Sequence, residues 1–288
     1  GGTWPAAPGG AGPFAPGSAG PPAAAAATTP ALPTSTLTAA ATVSPNPTLL
    51  CFLVSRSWGD ELEMVRAQAA QRAGIFACSA SAVVSDARLS LGAPCQTYAI
   101  GDLKANPVPW GVANTWVFVK AWDAIIAADV WRRHDWTVKV DPDAVFFPER
   151  LRGILPGHEE TIGGTYLNNC KYGMHGPVEV FSRNAVQAFD AGRQQCRNHF
   201  QRACSGDCKW GEDMYIDQCM QKVLRLRRDP EWRIMLEDHC DPPPGWASCQ
   251  NTSVTAFHPF KNASEYARCF KTATKAWPGK VWPGVAPA

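Results

Sequence analysis

Residues 136–151 read Trp136-Thr-Val-Lys-Val-Asp-Pro-Asp-Ala-Val-Phe-Phe-Pro-Glu-Arg-Leu151. An apolar run stops at Asp-Pro-Asp and resumes with Val-Phe-Phe. A short apolar run bounded by turn residues is the pattern of a strand buried on both faces, so Trp136–Val140 is expected as a strand. Pro142 fixes its own φ near about −65° and stiffens the turn. Asp141 and Asp143 then stand just past the strand end. Residues i and i+2 of an extended chain point the same way, so both carboxylates can face one ligand. Hard oxygen donors of this kind suit Mg²⁺ or Mn²⁺. The competing reading is a plain turn, with Asp143 capping a short turn of helix. A calcium loop is excluded, because Val145 and Phe146 stand where such a loop needs a further acid and glycine.

On either side of this stretch, strands and helices alternate. Thr48–Val54 is a second continuous apolar run. Leu62, Val65 and Ala69 mark a helix over 61–73, closed by Gly74. Ile75–Cys78 and Ala82–Val84 are expected as strands, and Thr97–Ile100 as a short one. Val119, Trp122, Ile126 and Val130 share one face of a helix over Thr115–Trp131. Pro148 opens the next helix at its first turn. Further strands are expected at Thr161–Tyr166, Val178–Phe181 and Val254–Phe257. Helices are expected from Ser182 to Phe189, over Glu212–Leu224, and from about Ser264 on. This alternation implies an α/β fold, a three-layer Rossmann-like sandwich with a mainly parallel central sheet. Ligands of such sheets bind outside the carboxyl ends of the strands, which is where Asp141 and Asp143 lie.

Residues 1–48 are rich in Ala, Pro, Gly, Ser and Thr, with almost no charge. Such a segment buries too little surface to offset its ordering entropy, so a stem or linker is expected there. Residues 49–275 are expected as one domain, and 276–288 as a Pro/Trp-containing tail. The net charge of +2, without a basic stripe, argues against nucleic acid as a partner. No apolar run reaches the roughly 18 residues of a membrane span, so a membrane anchor is expected only outside this chain. Eleven cysteines and two sequons, Asn251-Thr-Ser and Asn262-Ala-Ser, point to an oxidising secretory compartment. Zinc on His199, Cys204 and Cys208 is the alternative to disulfides there, although the paired C-x₂-C spacing is missing.

Several short stretches occur together in a recognisable order. Lys120-Ala-Trp precedes Asp135-Trp-Thr-Val-Lys-Val-Asp-Pro-Asp-Ala-Val-Phe146. Glu179-Val-Phe-Ser-Arg-Asn184, Gly211-Glu-Asp-Met-Tyr-Ile-Asp-Gln-Cys219 and Phe257-His258 follow. From about Leu50 to Ala273 this order resembles the Fringe and β1,3-galactosyltransferase-like glycosyltransferases. The resemblance implies a GT-A fold, a nucleotide-sugar donor (usually UDP-linked), Mn²⁺ or Mg²⁺, and inversion at the anomeric carbon. It also implies a hexosyltransferase whose acceptor is a glycan or glycoprotein, secreted or anchored in the Golgi lumen as a type II protein. Two departures, Met174-His-Gly-Pro for a glycine triplet and Asp217 for a glycine, lie on the expected acceptor side.

With this resemblance, Asp143 is expected as a metal ligand, with Asp141 completing the site or contacting the donor. His258 is expected as a further ligand, its other nitrogen held by a neighbouring acceptor. Ser55, Arg56, Asp86 and Lys120 are expected on the donor. Asn168, Tyr172, His175 and Glu212 are expected on the acceptor side. Asp213, the second acid of Glu212-Asp213, is expected as the general base. Ordinary packing, turn and solvated-surface roles compete at each of these positions. The alternative function is a non-catalytic, disulfide-rich secreted binding domain on the same fold.

Overall fold

The structure is a computed structural model that describes residues 44, 46–92, 94–108, 111–204 and 210–277. Most of the expected stem, residues 278–288 of the expected tail, and Cys208 lie outside them. The strands are β1 (Leu49–Val54), β2 (Ala80–Ser85), β3 (Gln96–Ala99), β4 (Asn106–Val108), β5 (Gly111–Ala113) and β6 (Trp136–Val140). They continue with β7 (Val145–Phe146), β8 (Thr165–Asn168), β9 (Val178–Ser182), β10 (Arg227–Pro230), β11 (Leu236–Glu237) and β12 (Ala256–His258). The α-helices are α1 (Gly59–Gln71), α2 (Thr115–Ala127), α3 (Pro148–Ile154), α4 (Arg183–Ala203), α5 (Glu212–Gln218) and α6 (Ala263–Lys275).

Seven strands form one sheet in the order β10-β8-β9-β6-β1-β2-β3. Pairings β1–β2, β1–β6, β2–β3 and β8–β10 are parallel; β9 runs antiparallel to both β6 and β8. The fold is therefore α/β with a mainly parallel, mixed sheet flanked by helices. Both faces are covered. Leu50 and Phe52 of β1 pack with Trp122 of α2, while Leu49, Cys51 and Leu53 pack on the opposite side with Val65 of α1. From β1 the chain moves outward through β2 to β3, then returns to β6 on the other side of β1. The β1–β6 junction is thus a topological switch point, where open α/β sheets place their crevice.

Several expected elements shift. Ile75–Cys78 is not a strand: Gly74–Ala77 forms a short 3₁₀ turn, and Cys51 is disulfide-bonded to Cys78. The helix expected over Thr115–Trp131 ends at Ala127, and Asp129 turns left-handed before a 3₁₀ turn at Val130–Arg133. The helix capped by Ser182, whose hydroxyl accepts from the Ala185 amide, runs to Ala203 rather than Phe189. Gly192 within it makes room for a neighbour, since a Cβ there would lie 2.2 Å from Leu224 Cδ2. The helix over Glu212–Leu224 is α5 followed by a π-helical turn, Cys219–Val223. Expected strand Thr161–Tyr166 is displaced to β8, and Val254–Phe257 to β12.

Four disulfides join described residues: Cys51–Cys78, Cys170–Cys240, Cys196–Cys219 and Cys249–Cys269. Cys204 is disulfide-bonded as well, which removes the zinc alternative. These bonds fit a secreted or lumenal protein. No helix among the described residues is long and apolar enough to cross a membrane.

Candidate metal centre and cleft

Strand pairing brings the candidate ligands together. β7 follows directly on Asp-Pro-Asp and pairs antiparallel with β12, placing Val145 opposite Phe257 and Phe146 opposite Ala256. The Phe260 amide donates to the Asp143 carbonyl at 3.0 Å, which ties the chain after His258 to the acidic turn. His258 Nε2 then lies 3.4 Å from Asp143 Oδ2. Asp141, Asp143 and His258 offer ligand atoms all within 4.8 Å of one another, so this cluster can hold a metal ion. Two hard carboxylates and one imidazole form a donor set that accepts Mg²⁺ or Mn²⁺.

A neighbouring acceptor for His258 is also present. β11 pairs with β12 so that Glu237 is the register partner of His258. Its Oε1 lies 3.4 Å from the buried Nδ1, within ion-pair range but off hydrogen-bond alignment. Lys261 Nζ also contacts Asp143 Oδ2. Against the desolvation that opposes ionisation, His258 and Lys261 hold Asp143 well below the usual carboxylate range. Burial likewise opposes charge on His258, yet Asp143 and Glu237 pull its pKa up to about 9. Cys170, His175 and Cys240 also cluster, but the two cysteines are joined in a disulfide and are not ligands.

A cleft of about 710 Å³ opens at the β1–β6 switch point. Ser55 and Arg56 of the β1 end, Asn114 and Phe118, Asp141, Asp143 and Lys261 line it. Of the residues expected on a donor, Ser55 and Arg56 are therefore here. The Ser55 hydroxyl is turned inward onto the Arg56 carbonyl, while Arg56 lies against Glu61 and the Trp58 ring. Asp86 instead organises the turn after β1, accepting from the Ser57 amide and hydroxyl at 2.7 Å each. Lys120 is exposed on α2 and is not among the described residues that line the cleft, to which that helix contributes Val117 and Phe118.

The lysine that matters in the interior is one the sequence reading passed over. Lys139, within β6, is fully buried. Its Nζ lies 2.6 Å from Asp141 Oδ1 and 2.9 Å from Glu212 Oε1, and donates to the Gly176 carbonyl at 2.8 Å. Glu179, its register partner on β9, is 4.0 Å away. Burial works against the ammonium, but Asp141, Glu212 and Glu179 keep it charged. Despite its own burial, Glu212 is held below its ordinary pKa by Lys139. Glu179 goes the other way: burial and the surrounding carboxylates raise it far up, and neither oxygen has a hydrogen-bond partner. Gly176 is required here, since a Cβ would meet Glu212 Oε1 at 2.3 Å.

Glu212 is thus spent on Lys139, which corrects its expected acceptor-side role. Asp213 forms no ion pair among the described residues and accepts from the Met214 amide at 2.7 Å. Burial first, then the Glu212 charge, pushes its pKa up to about 6. A carboxyl poised there suits proton transfer near neutrality. Asn168 is also corrected. It is buried, donating to the Cys170 carbonyl and accepting from Arg228. Asp217 is occupied by the Tyr166 hydroxyl and Arg228. His175 Nδ1 lies 3.5 Å from Glu237 Oε2, and exposed Tyr172 donates to Asp241 at 2.7 Å. No family model matches this chain, and no curated protein matches it.

Proposed function

We propose that the chain is a metal-dependent, inverting hexosyltransferase with a GT-A-type fold, similar to the Fringe and β1,3-galactosyltransferase-like enzymes. It would act in the secretory pathway, in the Golgi lumen or after secretion. One observation carries the reading: the acidic turn, His258 and the cationic groups Arg56 and Lys261 converge at the carboxyl edge of the sheet, at its switch point. A UDP-sugar donor occupies the cleft. Arg56 and Lys261 face its diphosphate, and Asp141, Asp143 and His258 hold Mn²⁺ or Mg²⁺. When bound, that ion is a Lewis acid that neutralises the diphosphate leaving group. Asp213 takes the proton of the acceptor hydroxyl as its oxygen bonds to the anomeric carbon and the bond to the diphosphate oxygen breaks. Lys139 fixes Asp141 and the first turn of α5 to each other, so the metal turn and the base keep their spacing.

The test is release of nucleoside diphosphate from a panel of nucleotide sugars, with and without Mn²⁺. Metal-dependent release from one donor supports the proposal. Donor binding without turnover, across metals and acceptors, refutes it and leaves the non-catalytic binding domain.

A further inference from the structure

The acidic segment Asp141-Pro142-Asp143-Ala144 is a β-turn. The Ala144 amide donates to the Asp141 carbonyl at 3.0 Å, and Pro142 and Asp143 are the two central residues. Each of the first three carbonyls has a donor. That of Asp141 has the Ala144 amide, that of Asp143 the Phe260 amide at 3.0 Å, and that of Pro142 has Gln68 Nε2 at 2.7 Å. Only the last of these donors is a side chain. It belongs to α1, 74 residues away in sequence.

The Pro142 carbonyl lies in the peptide plane between the two central residues. Turns of type I and type II differ by a flip of that plane, and proline at the first central position suits both. Asp143 does not adopt the positive φ that type II would require at its position. Gln68 holds the carbonyl on the side that keeps it so. A flip would swing the Asp143 backbone, and with it the carboxylate that His258 and Lys261 face.

Gln68 is itself firmly placed. It follows Met64 by four residues and Val65 by three, so it falls on the buried face of α1 and is 3 % exposed. A Cβ on Gly74 would meet Gln68 Oε1 at 2.6 Å and the Tyr266 hydroxyl at 3.3 Å, so that glycine clears the space in which the amide lies. Burying an amide on a core face costs desolvation that methionine or leucine would avoid. Among the described residues, the hydrogen bond this side chain makes goes to the metal turn.

We infer that Gln68 is a positioning residue for the metal centre: its amide fixes the central peptide of the Asp-Pro-Asp turn, so that Asp141 and Asp143 present their carboxylates together to a divalent cation. The inference rests on the metal-binding part of the proposed function and not on sugar transfer.

The experiment is titration of the whole chain with Mn²⁺ alone, read by calorimetry and by the electron-spin resonance of the free ion. Gln68→Met keeps the length and removes the donor. Gln68→Asn keeps the amide but is one methylene short of the carbonyl. Each should weaken Mn²⁺ binding about tenfold or more, and either variant, shown folded by its thermal midpoint, is decisive. Val65→Ala opens a cavity under the same helix but removes no bond to the turn. It should bind Mn²⁺ as the wild type does, even with a lowered midpoint. Unchanged Mn²⁺ affinity in a folded Gln68 variant overturns the inference. Equal weakening in Val65→Ala overturns it too, since the effect would then be one of general stability, and so does failure of the wild type to bind Mn²⁺. Weakened binding in a Gln68 variant, with no donor turnover by the wild type, would sink the transferase proposal but keep the positioning role. Donor turnover by the wild type, with unchanged Mn²⁺ affinity in the variant, does the reverse.

Discussion

On the proposed transferase reading, Asp213→Asn should slow turnover, and it should stabilise the fold at the same time. In the native chain burial and Glu212 raise the Asp213 pKa from 3.8 to about 6. That ~2-unit rise is at most about 3 kcal/mol, at about 1.4 kcal/mol per unit. The side chain is only partly buried, and the first turn of α5 favours its charge by about 0.3–1 kcal/mol, so about 1–2 kcal/mol is the working figure. The sign follows from linkage. A carboxyl with a raised native pKa binds protons more readily folded than unfolded. Its penalty is absent below about pH 3.8, grows between 3.8 and about 6, and is full above. Asparagine, neutral throughout and still able to accept from the Met214 amide, removes that penalty. At pH 7.5 the melting midpoint should rise by roughly 2–8 °C, at about 2–4 °C per kcal/mol for a chain of this size. At pH 4 the gain should nearly vanish. Turnover at pH 7.5 should fall roughly 10²–10⁴-fold, as expected for a lost general base. Wild-type turnover should itself decline as pH falls through about 6. Scanning fluorimetry at both pH values and donor-plus-acceptor kinetics read these quantities. A variant with unchanged midpoint and near-normal turnover would remove Asp213 from the role of base and from the buried cluster together.

Three other outcomes are expected. Lys139→Met should cost about 3–5 kcal/mol in urea unfolding, because it leaves buried Glu212, and half-buried Asp141 beside it, without their cation; a loss under 1 kcal/mol would mean the cluster is solvated. Mn²⁺ at about 100 times its dissociation constant should stabilise the wild type by about 2.7 kcal/mol, and Asp143→Asn should abolish that gain; an unaltered Mn²⁺ shift in the variant places the ion elsewhere. Thiol titration of the denatured, unreduced protein should find no more than two thiols, since Cys95 is the one free cysteine among the described residues; a count near eleven would contradict an oxidising compartment.

The framework of the site was legible in the sequence for a specific reason. Trp136–Val140 is an apolar run closed by a proline turn, and such a run has few places to go except the middle of a sheet. The nearness of His258 to Asp143 was not legible from pattern. It depends on a pairing of β7 with β12 that spans over a hundred residues, and it entered only through family resemblance. The burial of Asn168 and Glu212 was not legible because a polar residue in a loop or first turn looks exposed. Their burial follows from partners remote in sequence, Arg228 and Lys139. β10 was missed because Arg-Arg-Asp-Pro lacks the composition of a strand, which an edge position tolerates. Ile75–Cys78 failed as a strand because four apolar residues have no period to read.

Lys139 carried a signal that could have been used. It is the single charge in an otherwise buried five-residue strand, and Glu179 is the single charge in another, Val178–Ser182. Two such strands in one sheet predict that the charges face each other, as the β6–β9 register shows. Physical cost then separates structure from function. Burying Lys139, Glu179 and Glu212 beside half-buried Asp141 requires desolvating three ionisable groups and part of a fourth, and apolar residues of the same volume would usually serve stability as well or better. Glu179 gains no hydrogen bond in return. What the arrangement does secure is position. Lys139 holds the carboxylate at the cleft edge and the start of α5, the two elements on which the proposed metal-assisted displacement and its proton acceptor would depend. Glu179→Gln is the discriminating substitution. It keeps the shape without the charge that burial disfavours, so folding and, on the proposed transferase reading, turnover should both survive it, whereas loss of either would mean that Glu179 must ionise.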